Sequence, residues 1–177
     1  MINLTLFYLS IKMSRNNNIR TFFNNFSLTY NQKAFYDSPG LNYLNHLEID
    51  FIKNSTKSLK IVDLLEIGFG AGRNLSLFKG RNINLNGIDI SEKMLKVATG
   101  NLKGEKLTLK TLDAEKGLPY KDGVFDFVMC IRVLKYMNKW RFVISEISRV
   151  LKKDGIAILE IPNKFSIHFL FNRKDFI

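Results

Sequence analysis

Val62-Asp63-Leu64-Leu65-Glu66-Ile67-Gly68-Phe69-Gly70-Ala71-Gly72-Arg73-Asn74 is the stretch from which the rest of the chain can be read. An apolar, β-rich run feeds into three alternate glycines, and a helical pattern follows over 73–78. Glycines at such a junction let the backbone turn sharply and let a ligand approach the main chain, since no Cβ intervenes. A glycine-rich turn by itself occurs in many folds, so its meaning depends on its surroundings. Roughly twenty residues further on, a second β-rich run ends at Asp89, the position at which an acid meets a ribose in nucleotide-binding α/β sheets. Ligands of such sheets bind at the carboxyl edge of the strands, where a carboxylate can accept hydrogen bonds from both ribose hydroxyls.

Outward from that core the pattern alternates. Short β-rich runs at 61–67, 84–90, 106–112, 125–130 and 156–161 are mostly separated by helical segments, which predicts a parallel sheet covered on both faces. Ser91 caps a helix carrying Met94, Leu95, Val97 and Ala98, and Gly100 closes it. The 113–124 link reads as a loop. Val143, Ile147, Val150 and Leu151 recur at helical spacing, and Asp154-Gly155 is the expected turn into the fifth strand. Upstream, Phe22, Phe23, Phe26 and Tyr30 predict a short amphipathic helix over 18–31. Ser38-Pro39 predicts the start of another, with a side-chain cap followed by a proline whose missing N–H costs nothing in the first turn. Leu41, Leu44, Leu47, Phe51 and Ile52 are its expected buried stripe.

Composition bounds the remaining classes. A chain of 177 residues suits one folded domain, and 46% hydrophobic residues exclude a disordered one. A single cysteine, Cys130, rules out an internal disulfide framework, and two distant histidines, His46 and His168, make no metal cluster, so no metal site is expected. A reducing, cytoplasmic setting follows as the simplest expectation. The net charge of +11 would suit an anionic partner, but the lysines are scattered, which favours a solvated surface over a nucleic-acid interface. The apolar opening, 1–11, is half the length of a membrane span and lacks the flanks of a signal peptide. The expected organisation is an N-terminal extension over 1–17, a helical lid and first helix over 18–58, a ligand-binding core over 59–163 and an apolar tail over 164–177.

Two adenosine-bearing cofactors fit a glycine turn with an acid on the next strand, and spacing separates them. A dinucleotide site wants a third glycine where this chain has Arg73. The loop instead reads Glu66-x-Gly68-x-Gly70-x-Gly72, with an acid ahead of the glycines. A carboxylate there suits a cationic ligand such as the ammonium of a methionine moiety and repels a pyrophosphate, which favours S-adenosylmethionine over a nicotinamide dinucleotide.

On these residues the chain resembles the class I S-adenosylmethionine-dependent methyltransferases, in particular the small-molecule group that includes quinone-biosynthesis enzymes. The resemblance runs over about 22–163. It rests on the loop from Glu66 to Gly72, on Gly87-Ile88-Asp89-Ile90-Ser91-Glu92-Lys93-Met94-Leu95, on Asp113-Ala114-Glu115 with Leu118-Pro119-Tyr120, on Phe125-Asp126-Phe127-Val128 and on Arg149-Val150-Leu151-Lys152-Lys153-Asp154-Gly155. It implies a Rossmann-like, doubly wound, mostly parallel sheet of order 3-2-1-4-5. It also implies that Gly68, Gly70 and Gly72 line the methionine and ribose, that Glu66 helps hold the amino group, and that Asp89 binds the ribose. Asp113 would take the adenine amino group, with Ala114 offering its backbone and Ile90 packing on the ring, while Phe69 and Met94 complete the cofactor set. Residues 130–133, beginning with Cys130, would face the methionine end and the substrate, and Tyr30 would close over the cofactor from the lid. No catalytic base is assigned, although Tyr120 and His168 are the nearest candidates for assisting deprotonation.

In the family the fifth strand is followed by a helix and two antiparallel strands, and the expectation here is a domain truncated before them. An edge strand open to a second copy or a partner is therefore expected, with Phe165, Ile167, Phe169, Leu170 and Phe171 as an apolar tail beyond it. The leading expectation is an enzyme methylating a small molecule. Two rivals stay open: a non-catalytic cofactor-binding or partner subunit, and a methyltransferase acting on RNA.

Overall fold

The apolar run before the glycines forms the central strand, β1 (Asp63–Ile67), and its residues from Leu64 onward are buried on both faces. In a computed structural model of the chain, which describes residues 16–31, 33 and 36–161, β1 pairs in parallel with β2 (Asn84–Asp89) on one side and β4 (Phe125–Cys130) on the other. β3 (Leu107–Thr111) adds to β2 and β5 (Leu151–Leu159) to β4, so the sheet is all parallel in the order β3-β2-β1-β4-β5. That is the expected Rossmann-like order. Among the described residues β5 has a neighbour on one side only.

Alternation along each strand divides the core into two layers. Leu64, Leu85, Phe127 and Met129 pack with Ile52 of α2 (Pro39–Thr56), with Phe78 of the short 3₁₀ helix Leu75–Phe78 and with Met94 and Ala98 of α3 (Glu92–Asn101). On the opposite face Leu65, Ile67, Ile88, Val128 and Cys130 pack with Val143, Ile147 and Val150 of α4 (Trp140–Val150). Each large apolar side chain removed from water in this way contributes about 1.5–3 kcal/mol before entropy is charged against it.

The cap residues behave as their chemistry dictates. Ser38 Oγ accepts from Leu41 N at 3.2 Å with Pro39 in the first turn of α2, and Ser91 Oγ accepts from Met94 N at 3.1 Å at the start of α3. Several boundaries differ from the sequence expectation. The first helix, α1 (Asn16–Phe26), ends before Tyr30, which is helical again after the turn at 27–29. The glycine loop leads to a single 3₁₀ turn, since Gly70 and Gly72 hold positive φ angles that no helix accepts. Gly100 sits inside α3, which runs one residue further and ends at Leu102.

The buried stripe of α2 is a correction. Ile52, Asn45 and Thr56 face inward, whereas Leu44, Leu47 and Phe51 are 44%, 48% and 59% exposed. Thr56 satisfies its own hydroxyl by donating to Ile52 O at 2.8 Å, and Asn45 accepts from Arg73, so polar residues occupy the inner face because partners wait there.

Two further corrections concern the sheet. β5 starts at Leu151, and its pairing jumps from Phe125–Leu151 to Phe127–Ile156, so Lys152 to Gly155 bulge out within the strand. Asp154, with φ +67°, belongs to that bulge and not to a turn before the strand. The bulge delivers Lys152 Nζ to Asp126 Oδ1 (2.9 Å) and Asp63 Oδ2 (3.2 Å). Coverage of both faces is also incomplete. The 113–124 link carries no helix longer than the 3₁₀ turn Ala114–Lys116, and on its side of the sheet Asn84, Thr108 and Lys110 are exposed. Arg149 of α4 pins that link, donating to Tyr120 O (2.8 Å), Leu118 O (3.1 Å) and Asp122 (2.8 Å).

Candidate functional site

Where the strands finish, the parallel arrangement collects the ends of β1, β2, β3 and β4 around one cleft of about 710 Å³, its open mouth included. The floor is made by Gly68 and Gly70, whose φ angles of +73° and +53° lie in the region that favours glycine. Gly68 N donates to Ile88 O at 2.7 Å, tying the loop to β2. Asp89 stands at the end of β2, 8% exposed; Gly70 N donates to its Oδ2 at 2.9 Å and Ser91 N to its Oδ1 at 2.8 Å. Burial pushes its carboxyl up to about 6, and the N–H donors of Ser91, Gly70 and Ile90 hold it from rising further. Ile90 and Met94 line the same wall. Beyond β3, Asp113 and Ala114 line the next wall, and Asp113 Oδ1 accepts from Glu115 N at 3.0 Å.

The opposite wall comes from the N-terminal helix and from the chain after β4. Phe23 of α1 meets Tyr30 and Tyr136 edge-on, with ring centroids 5.9 and 5.5 Å apart. Tyr30 lies over Gly70, whose added Cβ would be 3.3 Å from Tyr30 Cε1, and Val133 covers Gly68, whose added Cβ would be 2.2 Å from Val133 Cγ2. Burial pushes the Tyr30 hydroxyl up to about 12. α1 is fastened beside Asp89 through Asn24, whose Oδ1 accepts from Ser91 Oγ at 2.6 Å.

Of the residues expected to form the site, Tyr30, Gly68, Gly70, Asp89, Ile90, Met94, Asp113 and Ala114 line this cleft together. Glu66, Phe69, Gly72 and Cys130 sit behind the lining. Glu66 is 1% exposed; Asn74 Nδ2 donates to its Oε1 at 2.8 Å, and its Oε2 has no hydrogen-bond partner among the described residues. Burial first, then the nearby Asp89 charge, push its carboxyl up to about 8 against the opposing Asn74 hydrogen bond. Phe69 is a core residue, and Gly72 takes φ +81° where an added Cβ would press on Leu102 of the α3 end. Cys130 is fully buried with its thiol pushed up to about 12, so it is an inert packing group.

Tyr120 lies elsewhere, edge-on to Phe125 at 4.8 Å and beside Asp63 and Asn84 at the amino ends of the strands. His168 and the apolar tail fall outside the described residues. Ile131, Arg132 and Val133, from the 130–133 stretch expected to face the methionine end, do line the cleft, whereas the lining residues that sequence reading missed are chiefly Phe23, Glu115 and Tyr136. Phe23 carried only a helical-stripe signal, and nothing local announced that Glu48, 84 positions away, is a partner of Arg132.

The methyltransferase-domain family model matches residues 65–159. A ubiquinone biosynthesis O-methyltransferase of Pelagibacter ubique is 31% identical over 120 residues, which is 68% of this chain and 50% of that protein. The chain spans about half the length of the curated relatives it matches. Among solved structures, the magnesium protoporphyrin IX methyltransferase of Synechocystis with bound SAH superposes with a TM-score of 0.70 at 19% identity, covering 90% of this chain and 77% of that one. The [4+2]-cyclase SpnF superposes with a TM-score of 0.67 at 22% identity, covering 80% and 58%. Likeness at that identity shows the fold alone, and the cyclase illustrates that one fold hosts different chemistries. The match over β1 to β5, with the glycine loop and Asp89 inside it, is what places the chain: it belongs to the methyltransferase-domain family.

Proposed function

We propose that the chain is the S-adenosylmethionine-binding core of a methyltransferase that moves a methyl group from the sulfonium to a small-molecule nucleophile. The observation that carries this reading is Asp89, buried at the end of β2 with one carboxylate oxygen on Gly70 N–H and the other on Ser91 N–H, facing a cleft floored by two positive-φ glycines. A carboxylate offers about four lone-pair sites, so beside its backbone donors Asp89 keeps capacity for a ribose hydroxyl. The residues fit an adenosyl sulfonium in other respects too. Asp113 and the backbone of Ala114 offer an acceptor and a donor for an adenine edge, and Ile90 offers an apolar face for its ring. Glu66, behind the lining, has a buried oxygen with no hydrogen-bond partner among the described residues, and a cationic ammonium nearby would favour its ionised form.

S-adenosylmethionine, when bound, supplies an already activated methyl group. The protein's own task is therefore alignment and exclusion of water, an effect that contributes several kcal/mol to such reactions. Tyr30 over Gly70 and Val133 over Gly68 form the cover, and Phe23 and Tyr136 extend it as an aromatic wall against which an acceptor can lie. A cytoplasmic setting completes the proposal; no described helix is long and apolar enough to cross a membrane.

Calorimetric titration with S-adenosylhomocysteine tests the site, and transfer of a labelled methyl group to a small-molecule fraction of a cell extract tests the reaction. Absence of heat and of any thermal shift with either form of the cofactor refutes the proposal. Label appearing only in a nuclease-sensitive fraction would transfer the assignment to RNA.

A further inference from the structure

Ser91 serves three elements at once. Its N–H donates to Asp89 Oδ1 at 2.8 Å, its Oγ accepts from Met94 N at 3.1 Å as the cap of α3, and its hydroxyl donates to Asn24 Oδ1 of α1 at 2.6 Å. Asn24 Oδ1 also accepts from Lys93 N at 3.4 Å, so a side-chain oxygen of α1 sits at the first turn of α3, where N–H groups have no partner within their own helix. We infer that Asn24 is a positioning residue, a latch that holds α1 against the cleft and sets how fast a ligand enters and leaves; the inference rests on the cofactor reading of the same cleft.

The helix separates the latch from the ligand. Ile19 and Phe23, four positions apart and on one face of α1, line the cleft, whereas Asn24 does not. Adjacent helix positions point roughly 100° apart, so Phe23 faces the cleft while Asn24 faces α3. A helix of 11 residues does not persist on its own hydrogen bonds, so contacts with the rest of the fold decide where α1 lies. Phe23 supplies apolar contacts, edge-on to Tyr30 and Tyr136. Asn24 supplies a directional one: Ser91 is fully buried, and lifting α1 leaves its hydroxyl proton without an acceptor until water takes the place of Asn24.

Because the latch joins protein to protein, it acts alike on the empty and the occupied cleft. Releasing it raises the rates of entry and exit together and leaves their ratio, the Kd, nearly where it was. A residue that grips the ligand behaves differently, since its loss speeds exit and leaves entry largely unchanged. The serine that receives the latch also braces Asp89, so α1 is fastened to the same short segment that positions the acid of the cleft.

The test uses the whole chain as wild type, Asn24→Ala, Ser91→Ala and the double variant, with S-adenosylhomocysteine as the probe and surface plasmon resonance for the rates. Asn24→Ala is expected to speed association and dissociation each by about threefold to tenfold, the worth of one hydrogen bond, while Kd moves by less than about twofold. Ser91→Ala removes the same contact from the other side, and the double variant should be no faster than the faster single one, because the two residues share one interaction. Unchanged rates in Asn24→Ala overturn the latch. So does faster exit with Kd weakened in proportion, which places the effect on the bound complex alone. Hydrogen exchange of the amides at 20–26 in the protein without ligand gives a readout independent of the cofactor: faster exchange in Asn24→Ala supports the latch, and unchanged exchange overturns it. Wild type that binds no S-adenosylhomocysteine removes the cofactor reading, and the exchange measurement then decides by itself whether Asn24 holds α1.

Discussion

Asp89 and Glu66 are both buried acids a short distance apart in the loop region, and their surroundings set different behaviour. Asp89 receives three backbone N–H groups and remains able to ionise near pH 6. Its ionised form is the better acceptor for ribose hydroxyls, so S-adenosylhomocysteine affinity should fall as pH drops from 7.5 to 5, through the range in which the free protein takes up a proton. Calorimetry across that range checks this, and a flat profile contradicts it. Asp89→Ala should cost about 1.5–3 kcal/mol of binding at neutral pH, the usual worth of hydrogen bonds to a charged group. Glu66 is wholly buried, and despite the Asn74 and Leu75 donors its carboxyl is pushed from 4.5 to about 8. A raised acid contributes stability that is fully present below the unfolded value near 4.5 and is lost as pH rises through 8. Glu66→Gln, which retains an acceptor for Asn74, should therefore gain melting temperature relative to wild type between pH 6 and pH 9. The sequence pointed to both acids, through their spacing from the glycines, but not to the difference between them, because burial and the aim of the neighbouring N–H groups are set by how loop and sheet pack.

At the scale of elements, α2 shows where periodicity misleads. Tyr43, Leu44, Leu47 and Phe51 form an apolar stripe that the helix turns outward, while Asn45 and Glu48 are drawn in by Arg73 and Arg132. An apolar stripe reports a helix reliably and reports its orientation only if no polar partner competes for the inner face. Leu47→Ser and Phe51→Ser should each change stability by no more than about 0.5 kcal/mol, whereas Ile52→Ala, which empties a fully buried position, should cost about 2–5 kcal/mol. Denaturant titration separates the two orientations directly. The same reasoning explains β5: helical spacing carried the reading on to Leu151, but pairing with Phe125 claims that residue for the sheet and pushes Asp154-Gly155 into a bulge.

Across the whole molecule the ligand becomes part of the stability balance, since a group that binds only the folded state stabilises it by mass action. S-adenosylhomocysteine at a hundredfold excess over its Kd should add about 2.7 kcal/mol, and for a chain of this size raise the melting temperature by roughly 5–10 °C. A thermal scan in which Asp89→Ala abolishes that rise ties the effect to the cleft. The sequence by itself determined the run of parallel strands, the glycine turn and the acids at strand ends, because hydrophobic patterning, alternate glycines and a strand-terminal carboxylate are local signals whose meaning a parallel sheet preserves; the strand order came only with the family resemblance. Only the tertiary structure decided which of the twelve expected site residues reach the cleft, and that Glu66, Phe69, Gly72 and Cys130 stand behind it. The physical reason is that a residue's side of a wall, and the partner that fixes its charge, depend on contacts such as Glu48–Arg132 and Asn24–Ser91, which join positions 84 and 67 apart and leave no trace in local pattern.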